Sequence, residues 1–189
     1  WSSDVCSSDL LGLDTAYADH DLAGDQASWI KARLTDAHNQ GRQGMLLSHH
    51  QLFSAYEGQG IKLYDKLRAD VLSKGLVHTW LWGHEHRLCA YGPYLGVKNA
   101  RCIGHGGVPV YQFHKEDDHA PADGPPLLWE FRESFRTTLN LEPWALFGYA
   151  VADFVGDEIH VSYIHENAPI DPVTGEPIPH KTEIISALV

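Results

Sequence analysis

Short apolar runs and amphipathic stretches alternate along the first half of the chain. The apolar runs Met45–Leu47 and Leu76–Trp82 are short, and each is flanked by polar residues or glycines. This pattern is typical of strands buried in a sheet. Between them, Leu63, Leu67 and Val71 recur at the spacing of one helix face. The pattern predicts strands over 10–14, 45–48 and 76–82 and helices over about 25–38 and 61–73. Such units place neighbouring strands in parallel, with right-handed crossovers.

The second half of the chain consists of shorter segments separated by glycine and proline. This pattern favours antiparallel strands, and residues 155–157 fit a hairpin turn between two alternating segments. A polar stretch near 115–126, which holds three prolines, predicts an exposed excursion. The strand-like segments lie at 88–91, 101–103, 127–135, 146–154 and 158–164.

Composition fits a single globular α/β domain. Of the 189 residues, 43% are hydrophobic and 21% are charged, and no apolar run approaches the roughly 20 residues that span a bilayer. We therefore expect no membrane span. The formal net charge of −11 makes long duplex nucleic acid a poor partner, because such partners are bound by Lys and Arg that neutralise phosphates.

Two cysteines outside the N-terminal segment, Cys89 and Cys102, lie in strand-like surroundings. They can pair if their strands are neighbours, but two reduced core residues are the simpler interpretation. Reduced cysteines favour a cytoplasmic compartment, although the localisation stays open.

Residues 1–10 are predicted to stand apart from the domain. The run 4–10, DVCSSDL, reads as the conceptual translation of a sequencing adapter joined to a gene. We therefore expect this segment to be artefactual or disordered and to contribute nothing to the fold. The domain is then expected to occupy residues 11–189.

Histidines directly follow two of the predicted strands. His49 comes after the strand at 45–48, and Gly83-His84-Glu85-His86 follows the strand at 76–82. Residues two apart in an extended chain point the same way, so His84 and His86 can face one cavity. Gly83 removes a side chain that would crowd an approaching ion. Imidazole suits zinc, iron and related ions, and ligands bind beyond the carboxyl ends of parallel strands, so the pattern predicts a metal site. A hydrogen-bonded polar loop is the alternative for any isolated His-x-His.

These two blocks, LSHH at 47–50 and GHEH at 83–86, resemble the last two signature motifs of the calcineurin-like metallophosphoesterases. The resemblance covers about residues 10–165, and IGHGG at 103–107 fits the region after the family's final motif. It implies a two-sheet αββα sandwich and a dinuclear centre of divalent or trivalent Mn, Fe or Zn that hydrolyses phosphate mono- or diesters. It also implies that His49 and His84 serve one ion and His86 the other, with a small phosphoester as substrate.

Part of that implied centre has no counterpart in this sequence. The family carries an Asp-x-His pair, a bridging aspartate and an Asn-His unit ahead of the strand that resembles 10–14, and no such blocks precede that strand here. We therefore expect the chain to correspond to the C-terminal half of an enzyme and to be nearly inactive alone. The alternative function is a non-catalytic binding module with a vestigial metal site. A metallo-β-lactamase-like enzyme ranks last, because its denser His-x-His-x-Asp-His run is absent.

Three residues beside the blocks are assigned supporting roles near the metal or the phosphate. His50 points away from His49 if the chain is extended there, which favours packing or a position behind the ligands. Gly83 precedes the histidine pair. His105, in a glycine-rich loop at a strand end, either approaches a phosphate together with backbone amides or is an incidental turn residue.

The remaining expectations concern burial. Glu85 is expected to face away from the two ligands and to form hydrogen bonds or meet solvent. Trp80 and Trp82 are predicted to be core residues. His160 and His165 are predicted to lie on the surface of the late hairpin.

Overall fold

The computed structural model describes residues 8–16, 18–111, 124–135 and 143–186. The helices are α1 (Gln26–Asn39) and α2 (Ile61–Leu67), and a π-helical turn over Arg68–Leu72 continues α2. The strands are β1 (Ser8–Leu13), β2 (Gln43–Ser48), β3 (Val77–Trp82), β4 (Leu88–Tyr91), β5 (Val97–Ile103), β6 (Leu127–Glu130), β7 (Ser134–Phe135), β8 (Trp144–Ala145), β9 (Gly148–Val155), β10 (Glu158–His165) and β11 (Lys181–Ser186).

The main sheet has six strands in the order β1-β2-β3-β5-β4-β6. Strands β1, β2, β3 and β5 run parallel, which confirms the prediction of parallel strand–helix units. Strand β4 runs antiparallel to both of its neighbours. The carboxyl ends of the four parallel strands therefore lie along one edge of the sheet.

The two helices cover one face of this sheet. Ile30 and Leu34 of α1 and Leu63 of α2 belong to the same buried cluster as Trp80 and Trp82. Both tryptophans are at most 1% exposed, so the prediction that they are core residues is confirmed. Every residue of β3 is buried, as expected for a central strand that is covered on both faces.

A second sheet of three strands, in the order β11-β10-β9, covers the opposite face. Alternation along the strands turns Met45 and Leu81 towards this side, where they form a second apolar cluster with Val161 and Tyr163 of β10. The fold is thus a mixed α/β arrangement, with helices on one face of the main sheet and antiparallel strands on the other.

A buried ion pair joins the two sheets. Nε and Nη2 of Arg101, on β5, donate to the two carboxylate oxygens of Glu183, on β11, over 2.7 and 2.8 Å. The hydroxyl of Tyr163 donates to the same carboxylate over 2.5 Å. Burial opposes ionisation of Glu183, but the hydrogen bonds and charge of Arg101 outweigh it and hold the pKa of this carboxyl below its usual value.

The antiparallel character of the second half is confirmed, including the hairpin between β9 and β10. The segment predicted at 127–135 is two short strands, because residues 131–133 leave the ladder and β7 pairs with β8 instead. Neither β8 nor β11 was predicted. Most of the predicted excursion near 115–126 falls on residues outside the described ranges.

The N-terminal prediction needs one change. Residues 8–10, which were assigned to the separate segment, pair in parallel with 43–45 of β2 and are part of the sheet. Residues 1–7 lie outside the described part of the chain.

Cys89 and Cys102 lie opposite each other on β4 and β5, and both are free and fully buried. No helix among the described residues is long and apolar enough to cross a membrane.

Candidate metal centre

Histidine-bearing loops follow all four parallel strands of the main sheet. The loop after β1 carries His20, and the loop after β2 begins with His49 and His50. The loop after β3 carries His84 and His86, and the loop after β5 carries His105. Because these strands are parallel, the loops emerge at the edge where open α/β sheets bind their ligands.

His49 and His84 lie in contact, as their positions after neighbouring parallel strands predicted. Nδ1 of His84 is 3.2 Å from Nε2 of His49, and the ring centroids are 5.1 Å apart. The amide of Gly83 donates to the carbonyl of His49 over 3.1 Å, which ties the two loops together. Gly83 therefore supports the site through its backbone.

The segment that carries His84 and His86 is not extended. Both residues have left-handed backbone conformations, with φ of 52° and 51°, and the amide of Glu85 donates to the carbonyl of Gly83 over 2.6 Å. The extended i, i+2 geometry was therefore the wrong basis for placing the two rings together. Such conformations cost roughly 1–3 kcal/mol each and are concentrated at functional sites.

Gly104 is the glycine that this tight segment requires. A Cβ at Gly104 would lie 2.8 Å from the carbonyl carbon and oxygen of Gly83 and 3.0 Å from the amide nitrogen of His86. A Cβ at Gly83 would find nothing closer than 3.8 Å. The close approach that was attributed to Gly83 thus belongs to Gly104, which lets the β5 loop pack against the β3 loop.

His50 shares the site with His49 instead of pointing away from it. Strand β2 ends at Ser48, so the condition of an extended chain is not met, and the ring of His50 lies 4.6 Å from those of both His49 and His84. The side chain is 2% exposed, and its Nδ1 is 2.8 Å from Oγ1 of Thr15. Its Nε2 is buried and has no hydrogen-bond partner among the described residues.

The environment keeps His50 neutral. Burial is the largest cause, followed by the charges of His20, His84 and His49, and together they lower the pKa of His50 to about 4. Burial also lowers the pKa of His84, although the carboxylate of Glu57 opposes this effect. Neutral imidazoles are the form that binds metal ions.

His20 is the site residue that the sequence did not reveal. Its ring stacks on that of His50 with centroids 3.8 Å apart, and it lies 5.3 Å from the ring of His84. One ligand atom from each of His20, His50 and His84 can be chosen so that all three lie within 4.8 Å of one another. His20 could have been predicted only from the sheet topology, because the loop after β1 must emerge at the same edge as the loops after β2 and β3. We call His20, His49, His50 and His84 the strand-end cluster.

A cavity of about 450 Å³ opens beside the strand-end cluster. His20 and His50 line it together with Glu57 and Lys62. Oε2 of Glu57 is 3.8 Å from Nε2 of His84, so a carboxylate stands next to the imidazoles. The cavity offers nitrogen and oxygen ligands within a space that admits a small molecule.

Glu85 lies behind the site, as expected from its position between the two histidines. Its carboxylate accepts hydrogen bonds from the hydroxyl of Ser54 and, over 2.7 Å, from Nε1 of Trp82. Burial raises the pKa of Glu85 to about 7, even though both hydrogen bonds lower it. The residue fastens the loop after β2 to the loop after β3.

His105 contacts a different group of residues. It is 4% exposed, and its ring lies 5.5 Å from that of His165, the last residue of β10. His165 is 4.9 Å from His180 and stacks on Phe131 at 3.6 Å. We call His105, His165 and His180 the second cluster. The prediction that His165 is a surface residue is wrong, since it is only 3% exposed.

No known family profile matches this chain, and no curated protein matches it. The resemblance to calcineurin-like metallophosphoesterases therefore depends on the two histidine blocks and their positions in the fold. The structure brings His49 and His84 into contact. His86 is half-buried on the same loop and contributes to the electrostatic environment of His84.

Proposed function

We propose that this chain forms part of a metal-dependent phosphoesterase, in which His49 and His84 bind one ion and His86 binds a second. The observation that carries the proposal is the 3.2 Å separation between Nε2 of His49 and Nδ1 of His84. Two nitrogens that bind one tetrahedral zinc ion at about 2.05 Å lie roughly 3.4 Å apart. The pair therefore fits a shared ion with little rearrangement.

The fold supports this proposal. Helices on one face of a central sheet and a second sheet on the other are compatible with one half of an αββα sandwich, the architecture that the resemblance implies. The candidate ligands occupy the carboxyl edge of the parallel strands, where such folds bind small molecules. The neighbouring cavity of about 450 Å³ suits a small phosphoester.

Two bound transition-metal ions, Mn, Fe or Zn, would supply Lewis acidity and a water with a lowered pKa. The residues of this chain orient the site. The Gly83 amide joins the two ligand loops through the carbonyl of His49, and the buried carboxylate of Glu85 holds the β3 loop in place. Lys62 lines the cavity, where its positive charge favours an anionic substrate.

The test is hydrolysis of p-nitrophenyl phosphate and bis(p-nitrophenyl) phosphate with added Mn²⁺. We expect turnover near background for the present chain, and metal-dependent turnover for a form extended by the upstream reading frame. In the extended form, His84→Ala and His86→Ala should each lower the rate by roughly a hundredfold or more. The matched control is His38→Ala, which removes an exposed histidine at the end of α1.

Two results would contradict the proposal. One is an upstream reading frame without Asp-x-His and Asn-His blocks. The other is an extended form whose rate is unchanged by His84→Ala and His86→Ala. Robust turnover by the present chain would refute the narrower expectation that it lacks essential ligands.

A non-catalytic binding module with one metal ion is the second candidate. The convergence of His20, His50 and His84 favours it, because these residues surround one point instead of two. Metal stoichiometry separates the candidates: two ions per chain in the extended form support the hydrolase, and one ion without turnover supports the module.

A further inference from the structure

The ligand set implied by the sequence leaves a buried nitrogen unexplained. Nε2 of His50 is shielded from solvent and has no hydrogen-bond partner among the described residues. A buried polar atom that lacks a hydrogen bond destabilises the fold unless a ligand satisfies it. The side chain that carries it is 2% exposed and lines the cavity of about 450 Å³. The nitrogen is thus in a position to meet a ligand.

Two more imidazoles converge on this position. The ring of His20 stacks on His50, that of His84 lies 4.6 Å away, and one ligand atom from each of the three falls within a 4.8 Å range. Nitrogens that share a tetrahedral zinc ion lie roughly 3.4 Å apart. The ring of His20 is exposed, so it has room to rotate towards an ion that His50 and His84 hold.

Hydrogen-bond partners outside the set orient two of the three rings. Nδ1 of His50 faces Oγ1 of Thr15 at 2.8 Å, which leaves Nε2 for an ion. Nδ1 of His84 faces His49 at 3.2 Å, which leaves Nε2 of His84 on the side of Glu57. Ligating histidines generally use one nitrogen for the metal and the other for such a partner.

The cavity supplies an oxygen ligand as well. Oε2 of Glu57 is 3.8 Å from Nε2 of His84, and Glu57 lines the same cavity as His20 and His50. Three imidazoles and one carboxylate or water form a coordination set that suits zinc and neighbouring transition metals.

We propose that His20, His50 and His84 bind one divalent transition-metal ion, with Glu57 beside the fourth position. In this site His84 binds through Nε2, whereas in the phosphoesterase centre it binds through Nδ1 next to His49. When the ion occupies this site, His49 is not a ligand and instead positions the ring of His84, so this site and the phosphoesterase ligand set are alternatives at His84. The site does not depend on phosphoester hydrolysis, and its ligands differ from those of the proposed enzyme except for His84.

Titration of the purified chain with Co²⁺, followed by visible absorption and by Zn²⁺ competition, tests the proposal. We expect one equivalent of Co²⁺ to bind and Zn²⁺ to displace it. His20→Ala should weaken binding at least tenfold, and because His20 is exposed this variant should keep the wild-type melting temperature. His38→Ala and His180→Ala are matched controls that remove exposed histidines outside both proposed ligand sets, and they should change the affinity by less than twofold.

The variant His49→Ala distinguishes the two proposed ways in which His84 binds an ion, through Nε2 in this site and through Nδ1 in the phosphoesterase centre. A positioning role predicts a loss of about threefold, whereas the phosphoesterase ligand set predicts a loss as large as that of His84→Ala. Histidine ring ¹⁵N spectra of the Zn²⁺ form give a second readout, because they identify the nitrogen that binds the ion. We expect Nε2 of His50 and His84 to respond.

The proposal is overturned if His20→Ala binds Co²⁺ like the wild type. It is also overturned if His38→Ala or His180→Ala weakens binding as strongly as His20→Ala, or if the Zn²⁺ spectra assign the ion to Nδ1 of His84 and Nε2 of His49. That last result would instead support the phosphoesterase ligand set. If metal binding depends on His20 but no phosphoesterase activity is found, the proposed enzymatic function is refuted and the proposed metal site stands.

Discussion

The strand-end cluster and the second cluster contain similar side chains in different surroundings. Each contains an almost fully buried histidine, His50 at 2% exposed and His165 at 3%, whose Nε2 is buried without a hydrogen-bond partner among the described residues. At the strand-end cluster His50 lines a cavity, and one ligand atom from each of His20, His50 and His84 lies within 4.8 Å of the others. At the second cluster the ring of Phe131 lies against His165 at 28°.

The two clusters therefore differ in the convergence of their ligand atoms and not in the presence of several histidines, and this convergence is the basis of the proposed metal site. Among the residues that the structure describes, the trio of His20, His50 and His84 brings its ligand atoms within 4.8 Å of one another, and the second cluster forms no such group. The backbone conformations of the two clusters differ as well. His20 and His84 of the strand-end cluster both have positive φ values. Strain at the open cluster and apolar packing at the closed one are consistent with a ligand role for the former and a structural role for the latter.

The largest expected effect concerns the attachment of the three-stranded sheet, which carries His165 of the second cluster. Arg101→Met leaves the Glu183 carboxylate buried without its partner, and we expect a loss of about 3–5 kcal/mol in the free energy of unfolding. Denaturation with urea measures this loss. Lys31→Met is the control, because it breaks an ion pair to Asp70 whose side chains are 46% and 48% exposed, and it should cost less than about 1 kcal/mol. Equal losses in the two variants would show that the buried pair does not hold the sheets together.

Two glycines provide a sharper comparison. A Cβ added at Gly104 would clash with the loop after β3, next to the strand-end cluster. A Cβ added at Gly148 would clash with the carbonyl of Ile164 and would lie 2.5 Å from Nε2 of His105 in the second cluster. Gly104→Ala and Gly148→Ala should each cost about 1–3 kcal/mol. Only Gly104→Ala should also weaken Co²⁺ binding.

Gly107→Ala is the control for both glycine variants, since its added Cβ would have no neighbour within 4 Å. It should leave stability and metal binding unchanged. A Gly148→Ala variant that loses metal affinity as strongly as Gly104→Ala would mean that the two clusters are coupled.

The smallest expected effect is a pH dependence at the second cluster. Burial, followed by the charges of His105 and His180, lowers the pKa of His165 to about 4. The unfolded state, with a pKa near 6.5, binds a proton first as the pH falls, so stability is lost from about pH 6.5 down towards pH 4. His165→Gln should remove roughly 1–2 kcal/mol of this acid-dependent loss.

Unfolding free energies measured between pH 7 and pH 4.5 check this prediction. His160→Gln, on the same strand but only partly buried, is the comparison variant and should change the pH dependence less than His165→Gln does. If His165→Gln behaves like His160→Gln, then His165 does not stay neutral in the folded protein.

Sequence pattern predicted the elements that local chemistry specifies. The apolar run that forms β3 is central and buried on both faces. The i, i+4 spacing predicted one helix over 61–73, where the structure has α2 followed by a π-helical turn that the spacing did not indicate. The contact between His49 and His84 followed from two neighbouring parallel strands that each end in histidine. The burial of His165 was also predictable, because the alternation that turns Val161 and Tyr163 inward extends to it.

Tertiary structure alone decided the rest of the site. His20 lies in an irregular loop with φ of 50°, so neither periodicity nor motif spacing could place its ring on His50. The reversal of His50 towards His84 arises because β2 ends at Ser48 and Thr15 of the β1 loop holds the ring. The sequence determined which strands end in histidine, since apolar patterning is local. Which nitrogens converge was decided by loop backbones and long-range hydrogen bonds, which depend on the packing of the whole sheet.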